Sequence, residues 1–270
     1  MNSFCFQFEK YHGTGNDFLL VHENQLIDSE LNSEIIRHLC DRHFGIGADG
    51  LIIIRTSQTH DFEMQYYNSD GNEGTMCGNG GRCAVAYAFT HHLITNGRSA
   101  VFSAIDGIHH AEVKDVKENQ IVIELEMANC QLPMPAFENT LFINTGSPHI
   151  VRQVDDVLNF DVYPEGKRMR NHFSLQPGGS NINFFSPHQS GISVRTYERG
   201  VENETLSCGT GVTASAICFA HIQHLSGNQT IHTETPGGTL IVRFTITDED
   251  VRDIHLLGLA VKVFDGQMLI

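Results

Sequence analysis

Apolar and polar side chains alternate at the start of the chain, where phenylalanines at positions 4, 6 and 8 are separated by Ser3, Cys5 and Gln7. This period of two predicts a β-strand with one buried face and is unlike the continuous apolar core of a secretion signal. Comparable strand patterns in the first half cover residues 3–9, 17–22, 51–54, 62–67, 100–105 and 121–126. In the second half they cover residues 141–144, 181–186, 192–197, 230–234, 239–246 and 254–264.

Helical patterns are fewer than strand patterns. Apolar residues recur at helical spacing over 30–41, where Asp28 or Ser29 is the expected N-cap. Alanine-rich segments begin just after Cys77 and just after Cys208, and each predicts a buried helix. Mixed strands with one alanine-rich helix in each half predict an α+β fold.

The chain contains an internal repeat. Four separated blocks recur at one gapless offset of 131 positions: Asn72–Gly80 with Asn203–Gly211, Thr14–Gly15 with Thr145–Gly146, Gly47 with Gly178, and Gly107 with Gly238. One offset that links four blocks predicts a duplicated, pseudo-symmetric chain of two domains. Pro133 and Pro135 interrupt the chain near the expected boundary, which lies within 118–135.

Composition agrees with two globular domains and narrows the partners. The chain has 270 residues, 40% of them hydrophobic, which is enough for a real core. Its formal net charge is −15, whereas proteins that bind nucleic acid usually carry a basic surface, so we do not expect nucleic-acid binding. The longest strongly apolar run, Leu51–Ile54, is far too short to span a membrane. We therefore expect a cytoplasmic protein that acts on a small molecule.

Two of the seven cysteines stand in an unusual context. The number is odd, no pair has the C-x-x-C spacing of a zinc or redox site, and a disulfide framework is not expected. Cys77 and Cys208 each lie between an acidic loop and a glycine-rich helix start, where the helix N-terminus favours the thiolate and lowers a thiol pKa. Packing roles are predicted for the other five: Cys5, Cys40, Cys83, Cys130 and Cys218.

One reactive thiol in each half of a duplicated chain has a chemical consequence. If the halves face each other across a pseudo-twofold axis, the thiols approach one ligand from opposite sides. Inversion of a stereocentre needs this arrangement, because one group removes a proton and the other returns one. The helix N-termini would hold a carboxylate and disperse the charge of the carbanion.

The sequence resembles the diaminopimelate epimerases over nearly its whole length. The resemblance rests on the following motifs, which occur in the family's order: Tyr11–Phe18, Arg42–Gly50, Asn68–Gly71, Met76–Cys83, Gly146–His149, Tyr197–Gly200, Ser207–Gly211 and Pro236–Gly238. The Tyr-Glu-Arg-Gly block before the second cysteine is the most specific of them.

The resemblance implies a fold of two pseudo-symmetric α/β domains, each with a mixed, barrel-like sheet around a central helix and with the active site in the cleft between them. The expected domains are residues 1–125 with 262–270, and residues 126–261. It also implies cofactor-independent conversion of LL- to meso-2,6-diaminopimelate, a step of lysine and peptidoglycan precursor biosynthesis. A homodimer with no metal or other cofactor is expected.

The resemblance assigns roles to particular residues. Cys77 and Cys208 are the expected thiolate and thiol. The backbone N–H groups expected to hold the carboxylate at the reacting carbon belong to Gly78, Asn79, Gly209 and Thr210. The side chains expected to grip the substrate, chiefly at its distal end, are those of Asn16, Asn68, Asn181 and Arg199. His149 and Glu198 are expected to orient the reacting group or to tune the thiols, and Glu198 also to contact substrate.

Two positions depart from the family pattern. Many members carry Gln where this chain has Gly50, and many carry Asn where it has Ser147. A glycine has no side chain to offer, and a serine hydroxyl reaches less far than an amide. We expect these two substrate contacts to be missing or replaced, and the cysteine chemistry to be unaffected.

Other interpretations of the same residues are weaker. A proline-racemase-like enzyme would also use two thiols, but it would not need the distal residues Asn16, Asn68, Asn181 and Arg199. A phenazine-biosynthesis-like isomerase would lack the paired cysteines. A small-molecule binding protein or redox sensor would use the thiols without exchanging an α-proton. The glycines at 45, 47 and 50 imitate a dinucleotide-binding motif, but a helix is predicted before them and a strand after them, the reverse of the required order.

Overall fold

The computed structural model describes residues 5–26, 31–172 and 178–270, so the expectations for Phe4, Asp28 and Ser29 lie outside the described residues. The helices are a 3-10 turn at Glu23–Gln25, α1 (Ser33–Cys40), α2 (Gly78–Thr90), α3 (Val162–Arg170) and α4 (Gly209–Ile222). The first strands are β1 (Cys5–Gly13), β2 (Asn16–His22), β3 (Gly50–Arg55), β4 (Phe62–Asn68), β5 (Ser99–Ala104), β6 (Gly107–Lys117), β7 (Gln120–Met127), β8 (Cys130–Gln131) and β9 (Met134–Pro135). The remaining strands are β10 (Leu141–Asn144), β11 (Pro148–Gln153), β12 (Asn181–His188), β13 (Gly191–Glu198), β14 (Asn203–Thr205), β15 (Gly227–Thr235), β16 (Gly238–Ile246) and β17 (Asp250–Leu269).

The chain forms two compact units. Unit 1 is Met1–Leu125 with Gly258–Ile270, and unit 2 is Glu126–Leu257. Within the described ranges, no helix is both long enough and apolar enough to cross a bilayer.

Unit 1 is a closed, mixed sheet around one helix. The strands β1 to β7 pair in chain order, and β17 pairs with both β7 and β1 to close the ring. The β2/β3 and β4/β5 pairs are parallel, and the other pairs with a defined register are antiparallel. Helix α2 contacts five of these strands, and its residues 78–88 are all buried. Small glycine and alanine side chains let it fit inside the ring.

Unit 2 repeats this plan. The β11/β12 and β13/β15 pairs are parallel, as are their counterparts in unit 1, and the other pairs with a defined register are antiparallel. Helix α4 is buried along most of its length and contacts β10, β11, β12, β13, β15 and β16. Outside the sheet, α3 packs Val162 and Met169 against Ile182 and Phe184, as α1 packs Ile36 and Leu39 against unit 1.

The backbone bears out the duplication at the glycines that matched in the sequence. Gly47 and Gly178 have φ values of +83° and +89°, and Gly107 and Gly238 have values of +130° and +133°. Residues that carry a Cβ atom rarely adopt such φ angles, so both positions of each pair require glycine. The two-domain, duplicated α+β fold expected from the sequence is confirmed.

Some predicted boundaries were wrong and some elements were missed. Helix α1 begins at Ser33, because the side chain of Asn32 caps it by accepting the N–H groups of Glu34 and Ile35. The sequence patterns did not predict seven elements: the 3-10 turn at Glu23–Gln25, β6, β8, β9, β11, α3 and β14. Helix α3 escaped notice because Pro164 and Gly166 weaken its helical pattern.

Candidate active site

Cys77 occupies the N-cap of α2. Its backbone is extended (φ −102°, ψ 142°), and its Sγ accepts the N–H of Gly80 at 3.2 Å. The following Gly78 and Asn79 stand in the first helical turn, where backbone N–H groups have no acceptor within the helix. The sulfur therefore lies beside an array of N–H donors and the positive end of the helix dipole.

Asn16 and Asn79 adjoin the sulfur of Cys77. The Asn16 Oδ1 accepts from Asn79 Nδ2 at 3.2 Å and from Cys77 Sγ at 3.9 Å. Asn16 Nδ2 donates to Asp49 Oδ2 at 2.7 Å, which fixes the orientation of the amide. The structure thus brings together three residues that the sequence predicted for the site.

A buried arginine supports this cluster. Arg82 is fully buried, and its Nη2 donates to Asn79 Oδ1 at 2.9 Å and to Thr14 Oγ1 at 3.2 Å. Burial lowers the pKa of Arg82 from its ordinary value. A side chain at Gly13 would lie 2.9 Å from the Asn79 carbonyl oxygen, so glycine is needed for this close approach. The guanidinium therefore locks the first turn of α2 in place.

The position of Gly50 is filled by its neighbours. A Cβ atom there would lie 2.6 Å from the ring of Tyr66 and would also meet the carbonyl oxygen of Tyr67. Tyr66 instead donates its hydroxyl to Asn68 Oδ1 at 2.9 Å, which leaves Nδ2 of Asn68 as the donor of that amide. The aromatic ring thus takes the space of the side chain that Gly50 lacks.

Cys208 occupies the N-cap of α4, in the position equivalent to Cys77. It is buried, and its extended backbone (φ −115°, ψ 111°) precedes Gly209 and Thr210 in the first turn. Its Sγ lies 3.5 Å from Thr210 Oγ1. A side chain at Gly211 would collide with the amide oxygen of Asn183, so this turn also requires glycine.

His149, Ser147 and Asn181 lie next to Thr210. Ser147 Oγ is 2.9 Å from His149 Nε2, 3.1 Å from Thr210 Oγ1 and 3.2 Å from Asn181 Nδ2. Asn183 Nδ2 lies 3.0 Å from the other ring nitrogen, His149 Nδ1. His149 is fully buried, and burial, together with the nearby charge of Arg199, lowers its pKa to about 3. The ring is therefore neutral at physiological pH.

The buried imidazole makes stability depend on pH. An unfolded histidine titrates near pH 6.5, so between about pH 3 and 6.5 the unfolded chain binds one more proton at His149 than the folded chain does. The free energy of unfolding therefore has its full value above pH 6.5 and decreases as the pH falls, by up to about 1.4 kcal/mol per pH unit. Urea unfolding between pH 4.5 and 7 should show a shallower pH slope for His149→Asn than for the wild type. The exposed His224→Asn is the control, and equal slopes for His149→Asn and the wild type would contradict the prediction.

Glu198 and Arg199 lie at the end of β13 and just beyond it. The backbone N–H of Arg199 donates to Asn181 Oδ1 at 2.9 Å, and its guanidinium approaches the Gly179 carbonyl at 3.5 Å. Glu198 Oε2 accepts the hydroxyl of Thr205 at 2.8 Å. Asn181 therefore joins Arg199 to the group around Ser147.

Four of the five cysteines with predicted packing roles are buried, as expected. Burial raises the pKa of Cys40 to about 12 and that of Cys130 to about 11, and it also raises those of Cys83 and Cys218. The prediction for Cys5 was wrong, because Cys5 is exposed. It lies on the outward face of β1, opposite the side that buries Phe6 and Phe8.

The predicted residues therefore form two groups, one in each unit. Asn16, Cys77 and Asn79 are joined in unit 1, whereas Asn68 is joined to Tyr66. The group in unit 2 comprises Ser147, His149, Asn181, Arg199, Cys208 and Thr210. The sequence did not reveal several supporting residues: Thr14, Asp49, Tyr66, Arg82, Asn183, and Thr196, whose hydroxyl donates to the Asn183 amide oxygen. Arg82 could have been found, since it stands inside the Met76–Cys83 motif.

Comparisons with known proteins place the chain in a family. The sequence profile of the family described as diaminopimelate epimerase matches residues 8–132 and 141–263. A diaminopimelate epimerase of Flavobacterium psychrophilum is 49% identical over 260 residues, which cover 95% of this chain and 97% of the relative. The diaminopimelate epimerase of Aquifex aeolicus is 37% identical over 283 residues, with 97% of each chain covered.

Solved structures share the fold at much lower identity. A phenazine biosynthesis protein of the PhzF family from Bacillus anthracis has a TM-score of 0.75 and 16% identity, with all of both chains covered. A probable proline racemase from Agrobacterium radiobacter has a TM-score of 0.68 and 14% identity, with 97% of this chain and 92% of that chain covered. These likenesses concern the fold alone. By the family profile and by its relatives across nearly the whole length, the chain belongs to the diaminopimelate epimerase family.

Proposed function

We propose that this protein interconverts LL- and meso-2,6-diaminopimelate by proton transfer at one α-carbon, with Cys77 and Cys208 as the two acid–base groups. The observation that carries the proposal is that both cysteines cap the N-termini of equivalent helices, α2 and α4, in two duplicated units. Membership of the diaminopimelate epimerase family supports this choice of substrate. No cofactor takes part in the proposed reaction.

The carboxylate next to the reacting carbon is held by backbone donors in this proposal. The N–H groups come from Gly78 and Asn79 in α2 and from Gly209 and Thr210 in α4. First-turn N–H groups suit this role, because they lack acceptors within the helix and face the ligand with a partial positive charge. As the α-proton leaves, negative charge spreads onto the carboxylate, and these donors stabilise it.

The proton transfers follow from the thiol chemistry. One cysteine, as the thiolate, removes the α-proton from one face of the carbon, and the other, as the thiol, delivers a proton to the opposite face. The carbon becomes planar between these steps, so its configuration inverts. Each turnover exchanges the protonation states of the two sulfurs. After product release, one sulfur loses its proton to water and the other gains a proton from water, which restores both for the next substrate. His149 and Glu198 orient the reacting group or tune the thiols, as the family resemblance suggests.

The distal end of the substrate carries a second amino group and a second carboxylate. We assign the carboxylate to Arg199, whose guanidinium fork matches it. The amides of Asn16, Asn68 and Asn181 can donate to the carboxylate or accept from the ammonium group. The hydroxyl of Tyr66 supports this assignment for Asn68, because it occupies Oδ1 and leaves Nδ2 to donate.

The proposal is tested by incubating the reduced protein with LL-diaminopimelate in D₂O. We expect the meso isomer to form and to carry deuterium at the inverted α-carbon. Chiral chromatography measures the isomer, and mass spectrometry measures the deuterium. L-Proline serves as the control substrate and should gain no deuterium, since it has no distal end to bind. If the reduced, folded protein places no deuterium on the α-carbon of diaminopimelate, the proposed function is contradicted.

We also propose a cytoplasmic homodimer. All seven cysteines are free in the described structure, which suits a reducing compartment. Three apolar residues of β17 are exposed and would be covered in a dimer: Val263, Phe264 and Leu269.

A further inference from the structure

A directed series of hydrogen bonds leads to Cys208 from the interior of unit 2. It begins at Thr196, whose hydroxyl donates to Asn183 Oδ1 at 2.9 Å. That contact fixes the amide, so that Asn183 Nδ2 is the atom facing His149 Nδ1 at 3.0 Å and the Ile150 carbonyl at 3.2 Å. Since an amide nitrogen can only donate, His149 Nδ1 must accept.

The acceptor role of Nδ1 settles the tautomer of His149. The ring is fully buried and neutral, so it carries one proton, and this proton must be on Nε2. Nε2 lies 2.9 Å from Ser147 Oγ, and the His149 ring therefore donates to Ser147. The Asn183 amide thus determines what the imidazole presents on its other side.

The hydroxyl of Ser147 is in turn oriented by its donors. Its oxygen accepts from His149 Nε2 and from Asn181 Nδ2, so its own proton is directed at Thr210 Oγ1, 3.1 Å away. Thr210 accepts that proton and has its own hydroxyl proton left to donate. Cys208 Sγ lies 3.5 Å from Thr210 Oγ1. Every donor in the series therefore points toward the sulfur.

We propose that Ser147 and Thr210 form a hydroxyl relay that holds a hydrogen-bond donor on Cys208 Sγ and thereby favours the thiolate of this cysteine. They act as positioning residues, through the sulfur. A donor stabilises a thiolate more than a thiol, because hydrogen bonds to charged groups are the stronger ones. Loss of the relay should therefore raise the pH at which Cys208 becomes nucleophilic.

The equivalent positions in unit 1 have different chemistry. At the 131-residue offset, Ser147 corresponds to Asn16 and Thr210 to Asn79. There the amide oxygen of Asn16 faces Cys77 Sγ at 3.9 Å as an acceptor, and its orientation is fixed by Asp49. Cys77 therefore serves as an internal control, because it has amides where Cys208 has hydroxyls.

Several strands packed against α4 carry titratable or charged groups, among them His188 on β12, His232 and Glu234 on β15, and Arg243 on β16. His149 lies at the start of β11, while Glu198 and Arg199 lie at the adjacent end of β13. Arg152 and Arg195 lie further along these strands and form ion pairs with Glu165 and Glu204. Substitution of Ser147 or Thr210 leaves all of these charges unchanged. A change in the pKa of the Cys208 thiol would therefore come from the lost hydroxyl.

The test is the pH dependence of alkylation at individual cysteines. The protein is treated with iodoacetamide from pH 5 to 10, and each cysteine is quantified by peptide mass spectrometry. In Ser147→Ala and in Thr210→Val, we expect the alkylation midpoint of Cys208 to rise by about one pH unit while that of Cys77 stays within about 0.2 unit. Ser147→Thr and Thr210→Ser keep the hydroxyl and should restore the midpoint.

Ser215→Ala is the matched control, because it removes a buried hydroxyl of α4 that donates to the Gly211 carbonyl in the same helix. An unchanged midpoint at Cys208 in either hydroxyl-deleting variant, or equal shifts at both cysteines, would overturn the relay. Thermal melting selects folded variants, and the two deletion sites are independent, so failure of one to fold leaves the other. Alkylation does not need turnover, so a missing deuterium exchange would overturn the proposed function without touching this result.

Discussion

Cys77→Ser and Cys208→Ser should each lower the rate of epimerisation by about 100- to 10,000-fold, the range expected for loss of a positioned acid or base. A serine hydroxyl is a far weaker acid than a thiol, so it neither holds the thiolate charge nor delivers a proton efficiently. In the two-thiol scheme neither cysteine can replace the other, because each serves a different face of the carbon. The measurement is conversion of LL- to meso-diaminopimelate by chiral chromatography.

Isotope exchange gives the sharper result. A variant with one remaining thiol can still remove an α-proton and return a deuteron to the same face. We therefore expect each variant to exchange the α-hydrogen of only one of the two stereoisomers, with retention of configuration, and the two variants to differ in which one they exchange. Cys5→Ser is the matched control, since Cys5 is exposed, and it should keep wild-type rates. Epimerisation near the wild-type rate in Cys77→Ser or in Cys208→Ser would exclude the two-base scheme.

Replacement of Arg199 by Met should lower kcat/KM for diaminopimelate by at least about 100-fold, mainly through KM. The guanidinium is proposed to form two charge-assisted hydrogen bonds to the distal carboxylate, and each such bond contributes about 1.5–3 kcal/mol. Because Arg199 is bound to Asn181 through its backbone N–H, the substitution leaves that contact intact. Arg199→Lys should recover only part of the loss, since an ammonium group cannot bind a carboxylate as a planar fork.

A truncated substrate tests the same assignment. L-Lysine lacks the distal carboxylate, so its slow α-deuterium exchange should be equal in the wild type and in Arg199→Met. Arg252→Met is the control, because Arg252 is a half-exposed residue paired with Asp250. A fall in kcat at unchanged KM, or an equal loss on L-lysine, would show that Arg199 does not bind the distal carboxylate.

Much of the fold could be predicted because the duplication repeats its signals. Helices α2 and α4 were found from their alanine-rich sequences directly after the cysteines. Elements missed in one half had a predicted counterpart in the other: β6 corresponds to β16, β11 to β2, and α3 to α1. Applying the 131-residue offset to the strand and helix patterns themselves would have recovered all three. Local sequence alone could not, because Pro164 and Gly166 hide α3.

The candidate site was predictable only in part, because its supporting contacts join residues distant in sequence. Ser147 was expected to leave a substrate contact in doubt, yet its hydroxyl contacts His149 and Thr210, which lies 63 positions away. The ring of Tyr66 was not expected beside Gly50. Their proximity depends on how β3 and β4 pair, and the sequence does not reveal that register. The motifs predicted which groups are reactive, whereas the hydrogen bonds around those groups could be read only from the coordinates.

The order of synthesis gives the closing strand of unit 1 a further importance. Strand β1 pairs with Val261–Leu269 of β17, so the ring of unit 1 stays open until those residues have been made. Unit 2 is contiguous in the chain, and its last residues, up to Leu257, belong to the same strand β17. The edge of β1 from Cys5 to His12 is therefore made first and paired last, although most of unit 1 is translated before unit 2. Until β17 is made, this edge of β1 is unpaired and the side chains of Phe6 and Phe8 are not yet buried. The unpaired edge would therefore bind chaperones and favour aggregation.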